Sequence, residues 1–211
     1  MGRPKKALIS RRKTLEVALR IIDEEGLDAL SIRRLGHELK VRGISLYYHF
    51  DSKEHILVGA CELALAEVRT PLTSNVDWHE WLIDNGRKYY QALLAHPNLI
   101  PILMRRHPLR IGLSEHNSTV GLLAVQGVPV GAIMPLMDSL ESIALGCAAY
   151  QSAVIADTNT DDWEEANPFL FHVQRNAALT YAEAFDALAK MAVDAILGAY
   201  QGKEGAPARA S

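Results

Sequence analysis

Residues Ser31 to Lys53 read SIRRLGHELKVRGISLYYHFDSK, and this stretch decides the fold. Ser31 stands where its hydroxyl can accept from a free backbone N–H two or three residues on, which predicts a helix N-cap. Ile32, Leu35 and Leu39 follow at helical spacing. Lys40 to Gly43 breaks that pattern, and Gly43 to Phe50 forms a short second segment whose apolar members can pack inward while hydroxyls and small side chains point out. A helix, a tight turn and a short helix with a small outer face suit a DNA major groove, where bulky side chains would prevent close approach.

Outward from this stretch the pattern stays helical. A helix is expected from about residue 10 to 25, with Leu15, Ala18, Leu19 and Ile22 on one face and Gly26 as its stop. Ser52 can cap a further helix running to about Thr70, before Pro71. Asp77 can cap the next, which presents Trp78, Trp81, Leu82, Asn85, Tyr89, Leu93 and Leu94 along a broad stripe until His96-Pro97. A short helix to about Arg106 follows, then Pro108 interrupts, and Ser114 can start a segment ending at Gln126-Gly127. The stretch from about Pro129 to Ala156 is apolar nearly all round, so it must be covered on more than one side. Asp157 to Asn167 is an acidic loop, Phe169 to Val173 a short helix, and about Ala178 to Tyr200 a last helix with apolar residues every three or four positions. With no strand alternation, the chain reads as all-α.

Charge divides the chain. Residues 1–60 hold twelve Lys/Arg against eight Asp/Glu, while the remainder holds ten against seventeen. Arg3, Lys5, Lys6, Arg11, Arg12 and Lys13 precede any acidic residue, which fits phosphate contacts; a solvated tail is the alternative for Arg3 to Lys6. At 49% hydrophobic the chain has ample core material. There is no N-terminal apolar leader, and polar or charged residues interrupt the longest apolar stretches, so neither a signal peptide nor a membrane span is expected and the cytoplasm is the default. Cys61 and Cys147 lie far apart with no metal-ligand spacing around them and read as buried reduced thiols.

The chain resembles the TetR family of transcriptional repressors. The resemblance rests on the N-terminal basic helix, Asp-Glu-Glu-Gly at 23–26, the Ser-capped helix from Ser31, Leu-Tyr-Tyr-His-Phe at 46–50 and Asp-Ser-Lys at 51–53. It is strongest over residues 9–60. A weaker likeness to the tetracycline-repressor branch covers Trp78 to His96 and Leu-Gly-Cys at 145–147. It implies an N-terminal three-helix helix-turn-helix domain over 1–51, with a basic arm at 1–13, a helical ligand-binding and dimerisation domain over 52–202, and a flexible tail at 203–211.

Carried over residue by residue, the resemblance places Arg33 at a base edge, where a guanidinium matches guanine O6 and N7. Ser31, which opens the same helix, is also expected among the DNA-binding residues. Arg42, Gly43 and Ile44 lead the recognition segment, Ile44 facing a thymine methyl. Ser45, Tyr47, His49 and Lys53 match phosphate contacts, and Lys53 sits in a first helical turn whose free N–H groups add to anion attraction. Tyr48 and Phe50 are expected to pack inward, Tyr47 is divided between packing and phosphate, and His49 is expected to act as a neutral donor. Lys40 departs from the family's usual glycine, so a positive φ there would cost stability.

A three-helix domain contacts few base pairs, so specificity requires two copies on a double-stranded operator. The helices over 129–156 and 178–200 are the candidate homodimer interface; the alternative is that both are intramolecular core. Trp81, Asn85, Tyr89, Leu103, Met104, Met134, Met137 and Tyr150 are the candidate walls of a pocket for a small, mostly apolar effector, with Tyr90 beside them. Asn85 interrupts an apolar stripe and matches a polar ligand contact of the tetracycline repressors; it can instead satisfy a buried backbone group. The metal-chelating histidines of that branch align with Arg69 and Leu103, so no metal and no cofactor is expected. Effector binding is expected to move the helix after Ser52 and spoil the spacing of two recognition segments. A ligand-responsive repressor on a palindromic operator is expected; a transcriptional activator and a non-sensing architectural DNA-binder of the same fold are the alternatives. An enzyme is not expected, because nucleophile-elbow, His-Glu-x-x-His and phosphate-loop patterns are missing and His79-Glu80 has no histidine at the required spacing.

Overall fold

The computed structural model describes residues 10–68, 76–105, 113–156 and 165–204. Arg3, Lys5 and Lys6 of the basic arm, Arg69, Pro71, His107, Pro108, most of the 157–167 loop and the tail from 205 lie outside them. Among the described residues every regular element is helical: α1 (Arg11–Glu25), α2 (Ile32–Glu38), a 3-10 segment (Gly43–Tyr48), α3 (Lys53–Ala64), α4 (Trp78–Ala95), α5 (Ile100–Arg105), α6 (Leu113–Val125), α7 (Val130–Ala156), α8 (Pro168–Arg175) and α9 (Tyr181–Glu204). The chain divides into two compact units, Met1–Glu67 with Asn98–Gly112 and Val68–Pro97 with Leu113–Ser211. The first compact unit extends past the expected boundary at residue 51 and includes α3 and α5.

In the first unit, side-chain caps start the helices. Ser10 accepts from Lys13 N–H, Ser31 from Arg34 N–H and Ser52 from His55 N–H, at 3.1, 3.1 and 3.2 Å. Each hydroxyl satisfies one orphan donor of a first turn. The buried stripe of α1 is Thr14, Val17, Ala18, Ile21 and Ile22, rotated from the expected face, and Leu15 and Leu19 are only half-buried. Thr14 tolerates burial because its hydroxyl donates to Ser10 C=O at 3.3 Å. Leu15 lies over Gly59 of α3, where a Cβ would stand 2.7 Å from a Leu15 methyl. The Asn98 side-chain NH2 donates to Ile22 C=O and Asp23 C=O at 2.8 and 3.3 Å, tying the chain before α5 to the end of α1. The helix after Ser52 ends at Ala64 rather than Thr70, followed by a 3-10 turn at Ala66–Val68.

The end of α2 is closed by two backbone bonds. Val41 N–H donates to Gly36 C=O at 2.9 Å and Lys40 N–H to His37 C=O at 3.1 Å, the pattern of a Schellman motif with Lys40 at the left-handed position. Lys40 has φ of 53°, the one positive φ outside glycine among the described residues. A Cβ is costly there. Lys40→Gly should therefore raise stability by about 0.5–1 kcal/mol after allowing for glycine's greater unfolded-state entropy, read as a higher thermal midpoint.

In the second unit, Asp77 caps α4 by accepting from His79 N–H and Glu80 N–H at 2.7 and 3.3 Å. Thr180 and Glu183 bond reciprocally at the start of α9, a capping box. The core is built where α4, α7 and α9 pack together. Tyr90 stacks on Phe185 with ring centroids 4.6 Å apart, and its hydroxyl bonds Gln151. Gly86 brings α4 close to Leu140 and Phe185. Arg87 pairs with Asp186 at 2.7 Å and His79 with Asp194 at 3.1 Å.

Helix α7 is long and apolar enough to cross a membrane by length and composition, more so than the sequence reading allowed. Its buried residues, Ala132, Ile133, Leu136, Leu140, Ala144 and Ala148, form a single stripe against the other helices. The expectation that it is covered on several sides is not met within one chain: Met134, Met137, Ile143 and Leu145 are half-buried and Val130, Tyr150 and Ile155 exposed.

Candidate functional site

The turn places the recognition segment closely against α2. A Cβ on Gly36 would stand 3.0 Å from Val41 carbonyl O and 3.2 Å from Gly43 N, and one on Gly43 would stand 3.1 Å from an Ile32 methyl. Gly43, expected to approach DNA, thus already serves a close approach of backbone to α2. The segment itself is a 3-10 helix, whose three-residue turn puts Leu46 inward and Phe50 just beyond its end.

Leu46 and Phe50 are buried, while Ile44, Tyr47 and Tyr48 are 72%, 53% and 87% exposed. The inward packing expected of Phe50 holds, and that expected of Tyr48 does not. One residue from Tyr47 in a tight 3-10 turn, Tyr48 cannot share the face of Leu46. Arg11 lies over the Phe50 ring at 5.1 Å, a cation–π contact between the start of α1 and the segment.

Arg33, Arg42 and Lys53 are exposed, and Ser45 and His49 half-buried. Lys53 opens α3 directly after the Ser52 cap. The Ser31 hydroxyl accepts from Arg34 N–H, so its capping role is met within the chain. Among the described residues Arg12 and Lys13 pair with Glu16, at 3.0 and 3.5 Å.

Beside Arg33 lies an ion network that the sequence reading missed. Arg34 bonds Glu38 through Nη1 and Glu25 through Nη2 at 2.6 Å. Glu38 also accepts from Arg20 at 2.7 Å, and Arg20 reaches Glu24 at 3.1 Å. Hydrogen bonds from Arg34 and then Arg20 hold the Glu38 carboxyl below its ordinary range, and donating to Glu25 and then Glu38 raises Arg34. A depressed carboxylate contributes stability above its unfolded-state pKa, lost as pH falls through its folded value, so the network is intact at neutral pH. The i,i+4 spacing of Arg34 and Glu38 was the available signal.

The expected pocket residues fall in both compact units. Leu103 and Met104 belong to the first unit, Leu103 buried and Met104 exposed. Trp81, Asn85 and Tyr89 lie on α4, and Met134, Met137 and Tyr150 on α7. Trp81 is core, and Tyr89 donates to Glu141 of α7 at 3.2 Å. Tyr150 departs from the expectation of a pocket wall: it is 66% exposed and packs against Tyr181 across 6.4 Å. The Asn85 Oδ1 is buried without a hydrogen-bond partner. Burial pushes the Cys61 thiol up to about 12 and raises Cys147, so both favour the neutral thiol. No metal-holding group of His, Cys, Asp or Glu occurs among the described residues.

The helix-turn-helix region over residues 15–60 matches the model of bacterial regulatory proteins of the tetR family, and residues 70–192 match the tetracyclin repressor-like C-terminal domain. The chain belongs to the TetR family of bacterial transcriptional regulators. The tetracycline repressor protein class E of Escherichia coli is 26% identical over 84% of this chain and 85% of that protein. The class G repressor of Vibrio anguillarum is 24% identical over 92% and 94%. Among solved structures, apo ActR of Streptomyces coelicolor superposes with a TM-score of 0.73 at 28% identity, over 94% of this chain and 99% of that one. ActR has also been solved in complex with actinorhodin, with a TM-score of 0.70 over 92% and 99% at the same identity.

Proposed function

We propose that the chain is a ligand-responsive transcriptional repressor that binds a palindromic operator as a homodimer in the cytoplasm and is released by a small, mostly apolar effector. The observation that carries the DNA half is the outward display of Ile44, Tyr47 and Tyr48 on a segment anchored by buried Leu46 and Phe50. Three large apolar side chains exposed within five residues call for a covering surface. Arg33 on α2, which Ser31 opens, Arg42, Gly43, Ile44, Ser45, Tyr47 and His49 on or flanking the 3-10 segment, and Lys53 at the start of α3 supply base and phosphate contacts, and Tyr48 joins them.

The homodimer reading is supported by the apolar surface of α7 that one chain leaves half-covered, and by Leu188 and Met191, exposed on α9. A second copy would cover both helices and supply the second recognition segment. The effector reading is supported by the buried, unpartnered Oδ1 of Asn85 and by ActR, a relative solved with actinorhodin. Tetracycline is not the effector we propose, because the branch's chelating positions are Arg69 and Leu103 here. An effector acts only through tighter binding to the state that does not hold DNA.

The test is a gel shift on DNA flanking the protein's own gene, repeated with a panel of apolar organic compounds. A retarded complex dispersed by one class of compound supports the proposal. No complex at low salt rejects the DNA half, and a complex indifferent to every compound favours an architectural role. Asn85→Leu should leave DNA affinity unchanged, raise the thermal midpoint of the free protein, and weaken the effector response by about 5- to 100-fold, the range of a buried hydrogen bond lost.

A further inference from the structure

Two adjacent arginines on α2 have opposite surroundings. Arg33 is exposed and forms no ion pair among the described residues, whereas Arg34 is divided between two carboxylates. Glu25 occupies Nη2 and Glu38 occupies Nη1. Reading guanine needs two parallel N–H groups aimed together at O6 and N7. That fork is split on Arg34. Its side chain is 30% exposed and that of Glu38 25%, so the pair is more sheltered than a typical surface ion pair, and Arg20 braces Glu38 from α1.

We infer that Glu25 and Glu38 withhold Arg34 from DNA, so that Arg33 alone of the adjacent pair reads the operator and Glu38 is a specificity-determining positioning residue. The inference rests on the DNA-reading role proposed above. Without the two carboxylates, a second guanidinium one residue along the helix would be free to seek phosphate. It would add affinity for any sequence and so lower discrimination.

The experiment measures binding of the full chain to a 30-base-pair random-sequence duplex by fluorescence anisotropy across a salt series. The variant Glu25→Gln/Glu38→Gln should steepen the log–log salt slope by about 1 per protomer and tighten random-duplex binding about five- to tenfold per protomer near 0.1 M salt. Glu24→Gln/Asp28→Asn makes the same charge change, at the end of α1 and in the turn after it, but leaves Arg34 held, and should keep the original slope. Adding Arg34→Gln to the first variant should remove the excess. An unchanged slope in the first variant, or an equal rise in the charge-matched control, overturns the inference. Because the first variant removes ion pairs that tie α1 to α2, single substitutions give a second reading. Arg34→Gln alone should leave the preference for the flanking operator DNA over the random duplex as it was, while Arg33→Gln lowers that preference about 5- to 150-fold; a matching loss in Arg34→Gln also overturns it. If the unaltered chain binds no duplex at low salt, the DNA-reading proposal falls and this inference with it; binding with the wrong variant pattern rejects this inference alone.

Discussion

Gly36→Val should destabilise the DNA-reading unit by about 3 kcal/mol and abolish retardation of DNA at ordinary assay temperature. A Cβ at this position would already meet the backbone of Val41 and Gly43 at 3.0 and 3.2 Å. These neighbours cannot swing aside as a side-chain end could, because Val41 N–H is bonded to Gly36 C=O and Lys40 N–H to His37 C=O. Gly36→Ala is a closer balance: a helix-interior alanine gains about 1 kcal/mol over glycine, set against a displacement of a few tenths of an ångström. Valine adds two methyl groups and a stiff χ1 to the same collision. Thermal denaturation followed by circular dichroism measures the loss. Stability equal to the unaltered protein would mean that the recognition segment is not seated closely on α2.

Arg33→Ala and Lys53→Ala should both weaken operator binding, but in different ways. Arg33 is exposed on α2, where a guanidinium can pair with one base; its loss should cost about 1–3 kcal/mol of discrimination at that position in each half-site. Lys53 opens α3, beside free first-turn N–H groups, and its loss should weaken binding to all sequences alike and reduce the salt slope by about 1 per protomer. Equal, salt-independent losses from both would contradict these roles. The informative measurement is a salt titration on the operator and on a duplex changed at one base pair.

The features legible in the sequence were those set by neighbours within a few residues. The caps at Ser31, Ser52 and Asp77 depend on a side-chain oxygen reaching an N–H two or three positions on, and the sequence carries that spacing directly. Lys40 was legible through the family resemblance, as a departure from the usual glycine, and its φ of 53° is the strain that departure implied. Harder to read was anything requiring one helix to choose a face toward another. Tyr48 and Tyr150 looked like packing or pocket residues because they are large and apolar, yet both face outward. The α1 stripe was rotated because Leu15 is used against Gly59 of α3. The contact of Arg20 with Glu38 spans 18 residues, and no local pattern announces it. Asn85 was recoverable from an interrupted apolar stripe, but the lack of a partner for its Oδ1 could only come from the packed helices.

The ligand-responsive dimer remains the central proposal, and its two halves meet in one experiment. Hydroxyl-radical footprinting on the bound flanking DNA, with the mass of the complex measured by analytical ultracentrifugation, reports recognition and assembly together. The account predicts two protected half-sites related by a two-fold axis, centred about 34–36 Å apart or a multiple of that distance, and an even number of protomers per duplex. A single protected half-site bound by one protomer would contradict it.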